Sequence, residues 1–335
     1  MASVFVRIYN EQPTFALRNP REFTKKLLDY IGSQAQFLWS AGSMSEGEGA
    51  IDQEKLDSAM RYVCLALESL RNVLRANQGV ELECNGHFKL LFSLLKQSNN
   101  QDMQLLALQV INAVTSNKEC VKNIAGADVI VYLLFTLHSL PTGRATALET
   151  LHSLVSNNKC IAEIVQRGGL IYLLDMFCNS GSPAIREDVA SLFAKTLTDK
   201  LHGPKIRLLL QKFLPPIFME AVRDNAEASV TMFEGKHENP ELIWNEESRS
   251  RVQVVVKDMR DKLFSEQQNN PELSWRLPPD FGNVYESMEG EVVVGGVFLR
   301  LLIKQPNWSF RKPREFLTAI MVRNGLRGGC FWSTL

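Results

Sequence analysis

Histidine side chains supply many metal ligands and general bases, but their spacing in this chain fits neither role. The histidines are His87, His138, His152, His202 and His237. None of them lies four residues from another histidine or from a cysteine, as metal ligands on one helical face would. We therefore interpret them as exposed or core side chains.

The cysteines are equally scattered. They are Cys64, Cys84, Cys120, Cys160, Cys178 and Cys330. They form no C-x-x-C pair and no Cys/His cluster with metal-ligand spacing. Cys120 and Cys160 occupy equivalent positions of an internal repeat, on an apolar face, and we expect both to be small buried side chains. The chain also lacks glycine-rich phosphate loops, the G-x-S-x-G nucleophile elbow and the H-E-x-x-H zinc motif. We predict that it is not an enzyme and has no cofactor or metal site.

Two tryptophans offer binding chemistry instead. Trp244 and Trp275 end a repeated hexapeptide, Asn-Pro-Glu-Leu-x-Trp, at 239–244 and 270–275. In each copy the asparagine, proline and glutamate are typical of a helix start. The tryptophans are either partner-binding anchors, as aromatic residues often are at interfaces, or core residues that lock each turn.

A basic stretch lies near the C-terminus, between 298 and 327, where seven lysines and arginines face one glutamate. It includes Arg311 and Arg314. Such a stretch either contacts anionic lipid or an acidic partner, or is the solvated start of a helix. Together, the candidate protein-binding residues are Trp244, Asn245, Trp275, Arg311 and Arg314.

The elements that position these residues follow from an internal repeat. Residues 107–134 align without a gap on 147–174, at an offset of 40 positions. Self-similarity at this period is typical of armadillo or HEAT proteins. The unit contains a helical stripe, then an asparagine at 117 or 157 suited to cap a short second helix, then an almost wholly apolar third helix. Three helices per unit favour armadillo over HEAT, and we predict an all-α, armadillo/HEAT-like superhelical solenoid.

Less regular units flank this pair. Asp52 is predicted to cap a long helix over 53–77, and a fourth unit runs from about 184 to 223, with its helices separated by proline-containing breaks. The predicted organisation is a joint helix with a mobile loop over 1–50, armadillo-like repeats over 51–225, a helical linker region around the hexapeptides over 226–297, and the truncated start of a second helical block over 298–335.

The two ends of the chain match each other. Residues 5–23 and 298–316 share Phe, Arg, Gln-Pro, Arg and Pro-Arg-Glu-Phe in register. The spacing of Phe5, Ile8 and Tyr9 favours a short helix over a strand. We predict that each copy is the same joint, in which this helix ends at the Gln-Pro and a longer helix starts at the second proline.

The overall charge and the lengths of the apolar segments indicate which partners and which cellular compartment to expect. Lysine plus arginine equals aspartate plus glutamate, 37 each, so there is no general reason to expect nucleic acid. The N-terminus has no apolar signal region, and the apolar runs are too short to span a bilayer. With scattered cysteines, these features favour a reducing, cytosolic compartment.

The segment NPELIWN at 239–245, the QPxxxxRxPREF motifs at both ends and the armadillo-type units resemble the receptor-mediated endocytosis protein 8 family, the family of DnaJ homolog subfamily C member 13. The resemblance covers about residues 1–320 and corresponds to the C-terminal part of a much larger chain. Ile243-Trp244-Asn245 fits the repeated Ile-Trp-Asn element of the family, whereas Ser274-Trp275-Arg276 departs from it. No His-Pro-Asp, the J-domain signature, occurs, so we expect a fragment or an isoform without that domain.

The resemblance implies a non-enzymatic scaffold in early-endosomal membrane trafficking and cargo sorting. Its implied partners are sorting nexins and the WASH complex, with peripheral association with the cytosolic face of early endosomes. The seventy-kilodalton heat-shock chaperone is implied only through the J domain. The alternative is a generic armadillo adaptor that binds peptides and is unrelated to endosomes.

Overall fold

The computed structural model describes residues 2–14, 16–43, 53–96, 100–239 and 242–278. Within these ranges the regular elements are α-helices and short 3-10 turns, with no β-strand. The prediction of an all-α protein is therefore confirmed. The chain divides into two compact units, Met1–Met288 and Glu289–Leu335, and every described residue belongs to the first. The predicted block over 298–335, with Arg311 and Arg314, lies outside the described residues.

The helices have the following bounds in chain order. They are α1 (Ala2–Glu11), α2 (Pro20–Ser43), α3 (Gln53–Ala76), α4 (Phe88–Ser93), α5 (Gln101–Thr115), α6 (Lys118–Ile124), α7 (Ile130–Ser139), α8 (Arg144–Leu154), α9 (Asn158–Gln166), α10 (Gly169–Asn179), α11 (Pro183–Leu197), α12 (Gly203–Leu210), α13 (Pro216–Asp224), α14 (Ala226–Glu234) and α15 (Glu246–Asn269).

Asparagine side chains start several of these helices, as the sequence predicted. The Asn19 side chain accepts from the backbone N–H of Glu22, and Pro20 begins α2. Asn117 and Asn157 accept from the N–H two residues on, at 3.0 and 2.9 Å. Each bond satisfies a donor that a helix N-terminus otherwise leaves unpaired.

The 40-residue register predicted from the sequence recurs in the burial of the side chains. Leu108 and Leu148 are both fully buried, and so are Cys120 and Cys160. The two thiols point at backbone carbonyls that are also one repeat apart, those of Glu81 and Val121. The prediction that both cysteines are small buried side chains is confirmed.

The first helices of the units pack in succession, α3 on α5, α5 on α8 and α8 on α11. The third helices do the same, α4 on α7 and α7 on α10. Buried leucine, isoleucine, valine and phenylalanine side chains form one core between these two rows. This core continues into α13, α14 and α15 through Phe218, Phe233 and Val256.

The joint at the N-terminal end is a helix, α1, that ends before Gln12-Pro13, as predicted. Two other local predictions differ from the structure. The mobile loop predicted within 1–50, over residues 40–49, is helical in its first part because α2 continues to Ser43, and its remainder lies outside the described residues. The second hexapeptide does not start a helix: Asn270 ends α15 instead, and Pro271 and Glu272 form a turn. The competing interaction is a backbone hydrogen bond from Trp275 N–H to the carbonyl of Gln166, the last residue of α9.

Candidate protein-binding groove

Helix α15 lies along the row of third helices and contacts α10 over its length. The Gln253 side chain donates to the Cys178 carbonyl at 2.7 Å near one end of the contact. Near the other end, Gln267 donates to the Arg167 carbonyl at 2.7 Å and accepts from the Tyr172 hydroxyl at 3.1 Å. Amide side chains thus fix the position of α15 on α10 at both ends.

A buried ion pair fixes the middle of α15. Arg260 lies 3.0 Å from Asp175 of α10, and the two side chains are 9% and 2% exposed. Arg260 also donates to Nδ1 of His138 on α7, at 2.6 Å. Burial, together with the neighbouring Arg260 charge, lowers the pKa of His138, which keeps the ring neutral and able to accept. Phe264 packs against the same imidazole, with ring centroids 4.4 Å apart. One helix therefore contacts the third helices of two successive units.

The chain after α15 turns back over the loop between α9 and α10. Gly168 there has a φ of +72°, a conformation that glycine adopts without strain. A β-carbon at this position would lie 2.5 Å from Leu263 and 3.0 Å from the Trp275 ring. Arg167 donates to the Glu272 carbonyl. Trp275 is thus half-buried against a glycine that leaves room for its ring.

An open groove of about 730 Å³ lies where this segment begins, at Pro271 and Glu272, between α2, α4 and the start of α7. Its aromatic lining comes from Trp39 of α2 and Tyr132 of α7. Its charged lining comes from Asp29, Asp128, Glu272 and Lys89, three carboxylates against one ammonium, or a net charge of −2 with histidine neutral. A groove with this lining suits an extended segment that carries apolar and basic side chains.

Two polar features of the groove are uncommon. Asp128 has a φ of +50°, which few residues other than glycine adopt. Backbone strain of this kind clusters at functional sites. Nδ1 of His87, in the groove wall, is buried and has no hydrogen-bond partner among the described residues. These two features make the groove the first candidate binding site for mutagenesis.

The described thiols have little nucleophilic character. Burial raises the pKa of Cys64 and Cys120 to about 11 and that of Cys84 and Cys160 to about 12. They are therefore protonated at neutral pH, and the thiolate is the reactive form. Within the described ranges, no three His, Cys, Asp or Glu side chains converge as metal ligands would. None of the described helices has the length and apolar character needed to cross a bilayer.

Trp244 and Asn245, two candidate residues of the linker region, lie in different surroundings. Trp244 is 6% exposed, and its ring lies 5.2 Å from that of Phe233 and 6.0 Å from that of Phe218. Asn245 caps α15, since its side chain accepts from the N–H groups of Glu247 and Ser248. The burial of Trp244 favours the core alternative, and the role of these residues in binding stays a prediction.

Comparison with known proteins finds a distant relative. No family model matches the chain. It is similar to DnaJ homolog subfamily C GRV2 of Arabidopsis thaliana. The two are 25% identical over 365 aligned residues, which cover 96% of this chain and 14% of GRV2. The similarity to GRV2 supports a distant relationship to the DnaJ subfamily C proteins that the sequence motifs resemble. Because the chain spans about a seventh of GRV2, activities of the whole relative come to it only as proposals.

Sequence reasoning missed the groove. Its residues come from α2, α4, the start of α7 and the segment after α15, which no single motif joins, and Trp39 lies outside the repeats. One signal was present in the repeat itself. Asp128 aligns with Gly168 at the 40-residue offset, and both have positive φ. An aspartate at a position where the other copy has glycine indicates a special backbone site.

Proposed function

We propose that the chain is a non-enzymatic scaffold whose helices form an armadillo-like solenoid and whose groove binds a protein segment. The single observation that carries this proposal is the open, aromatic and acidic groove at the row of third helices. The solenoid arrangement is supported by the shared 40-residue register and by the packing of first helix on first helix and third helix on third helix. Units that bury their apolar faces only on their neighbours are typical of such repeats.

The lining of the groove indicates the chemistry of the partner. Trp39 and Tyr132 provide flat apolar surfaces, which dominate the binding energy of many interfaces. The excess of carboxylates favours a basic segment and disfavours an acidic one. We therefore propose a segment with one large apolar side chain and at least one lysine or arginine beside it.

We further propose that the scaffold acts in early-endosomal membrane trafficking and cargo sorting. The support is the distant similarity to the DnaJ subfamily C protein GRV2, together with the motifs shared with the receptor-mediated endocytosis protein 8 family. The proposed partners are sorting nexins and the WASH complex, at the cytosolic face of the early endosome.

Affinity capture with a groove variant tests this proposal. The variant combines Trp39→Ala with Asp29→Lys, which removes an aromatic surface and reverses one charge. A matched control combines Tyr62→Ala with Glu54→Lys, an exposed aromatic and an exposed acid of α3 that do not line the groove. Loss of an interface anchor costs about 2 kcal/mol or more, so we expect binding to fall at least roughly 30-fold.

The outcomes distinguish an endosomal scaffold from a generic armadillo adaptor. Capture of sorting nexins or WASH subunits by the wild type and the control, but not by the groove variant, supports the endosomal proposal. Capture of only unrelated proteins that share a basic peptide motif would favour the generic armadillo adaptor. Equal capture by all three proteins would show that the groove is not the binding site.

A further inference from the structure

The two most exposed large apolar side chains of the described residues belong to α12 and to the turn before it. Leu201 is 71% exposed and Leu208 is 66% exposed. Leu201 lies in the turn that leads into α12, in which the N–H of Gly203 donates to the carbonyl of Asp199. Both leucines are therefore exposed to solvent, Leu201 from this turn and Leu208 from the outer face of α12.

The backbone that carries the two leucines is held firmly. The Asp199 side chain accepts from the N–H groups of Leu201 and His202, at 3.0 and 2.7 Å. Gly203 packs so closely on the end of α11 that a β-carbon there would lie 2.5 Å from the Leu197 carbonyl oxygen. Ile206 of α12 is fully buried on the opposite face. The exposure of the leucines is therefore a property of an ordered turn and helix.

Basic side chains surround the leucines. Between Lys195 and Lys212 there are five lysines and arginines and one aspartate, a local charge of +4, whereas the whole chain balances 37 against 37. Lys195 donates to the His152 carbonyl. The other basic residues of the stretch form no ion pair within the part of the chain that the structure describes: Lys200, Lys205, Arg207 and Lys212.

The arrangement on α12 is that of an apolar centre with cationic flanks. At about 100° per residue, Lys205 lies roughly 60° from Leu208 on one side and Arg207 roughly 100° on the other. Both flanks can extend their ammonium or guanidinium groups beyond their aliphatic stems. We define the α12 surface as the six residues Lys200, Leu201, Lys205, Arg207, Leu208 and Lys212.

We propose that the α12 surface binds the face of an anionic lipid bilayer. Leu201 and Leu208 enter the boundary between headgroups and acyl chains, while the four cations contact lipid phosphates and carboxylates. Two leucines with this degree of exposure suit insertion into lipid. A nucleic acid or a soluble polyanion leaves such side chains in water. The inference goes beyond the proposed scaffold role, because it requires no protein partner and none of the groove residues.

Co-sedimentation of the purified full chain with vesicles tests the inference. The vesicles contain phosphatidylcholine alone or phosphatidylcholine mixed with phosphatidylserine. A charge variant combines Lys205→Gln with Arg207→Gln. Its matched control combines Lys118→Gln with Lys159→Gln, two exposed lysines of α6 and α9. An apolar variant combines Leu201→Ser with Leu208→Ser, and Val254→Ser, an exposed apolar side chain of α15, is its control.

We expect binding only to the vesicles with phosphatidylserine. Each basic residue near an anionic surface contributes about five-fold to affinity, so the charge variant should bind roughly 30-fold more weakly at low salt. The apolar variant should bind at least about ten-fold more weakly, since two leucines no longer leave water. Both controls should match the wild type, and all variants should keep its melting temperature because none of the changed side chains is buried.

Three results would overturn the inference. The first is equal binding to both kinds of vesicle. The second is wild-type binding by the charge variant together with a loss caused by Arg311→Gln and Lys312→Gln, which would assign lipid contact to the basic stretch at 298–327. The third is wild-type binding by the apolar variant with full competition from soluble inositol hexakisphosphate, which would indicate a polyanion site. None of these results bears on the groove, because no partner protein is present in the assay.

Discussion

A buried glutamate between two repeats should make the stability of the protein fall as the pH rises. Glu163 of α9 is 4% exposed, and one of its oxygens accepts from the N–H of Ile130, the first residue of α7, at 2.8 Å. Burial raises the pKa of Glu163 from 4.5 to about 7, against the opposing effect of the Ile130 hydrogen bond. The folded state therefore holds a proton that the unfolded state has already released between these two values.

The sign and size of the effect follow from this difference. The stabilising contribution of Glu163 is complete below the pKa of its carboxyl group in the unfolded state. It is lost as the pH rises through the pKa of this group in the folded state. One pKa unit corresponds to about 1.4 kcal/mol, so between about pH 5.5 and about pH 8 Glu163 should remove up to about 2 kcal/mol. Glutamine keeps an oxygen for the Ile130 N–H but does not titrate. Glu163→Gln should therefore lose less stability than the wild type over this range.

Urea unfolding at the two pH values measures the difference. The comparison is the change in unfolding free energy with pH, so a constant cost of placing glutamine in the site cancels. Glu187→Gln, at an exposed position of α11, controls for the loss of a carboxylate. Parallel pH dependence of the wild type and Glu163→Gln would refute the reasoning and would mean that the folded and unfolded states release this proton at similar pH.

Three further stability predictions follow from burial and backbone geometry. Leu108→Ala and Leu148→Ala should each lower the unfolding free energy by about 2–5 kcal/mol, since both side chains are fully buried; urea unfolding values below about 0.5 kcal/mol would show that the repeat alignment has the faces wrong. Trp244→Ala should cost about 3–5 kcal/mol, and an unchanged melting temperature combined with the loss of a partner would restore the anchor interpretation. Gly168→Ala should lower the melting temperature, because it adds strain at positive φ and a contact 2.5 Å from Leu263; a melting temperature equal to that of the wild type would contradict this.

Local and periodic features of the fold could be predicted from the sequence. Asn117 and Asn157 cap helices because a short polar side chain followed by a helical stripe has few other uses. The burial of Leu108 and Leu148 followed from their spacing alone. Such signals arise within one or two helical turns, so they can be recognised without knowing which elements pack on the helix.

The position of α15 could not be predicted in this way. Its stripe of Val252, Val256 and Leu263 indicates a buried face but not the surface that buries it. The partners of Arg260 lie on α7 and α10, in a part of the sequence with no matching motif. The groove has the same origin, since it forms only when separate helices come together. The second hexapeptide does not start a helix, because its local preference for a helix start is weaker than its contacts with the α9–α10 loop.

The placement of α15 has a consequence for how the chain folds. Repeats that touch only their neighbours can unravel one at a time from an end. Here Arg260 contacts His138 across 122 positions of the chain, and Gln267 contacts Tyr172 across 95. These hydrogen bonds join α7 and α10, in the middle of the repeats, to α15, which comes about 100 residues later in the chain. Helices α7 and α10 therefore cannot lose their packing separately from α15. Closing a loop of about 100 residues costs roughly 0.8 kcal/mol more entropy than closing one of about 40. We therefore expect the last step of folding to be slow and the unfolding of this region to be cooperative, unlike that of a simple linear array.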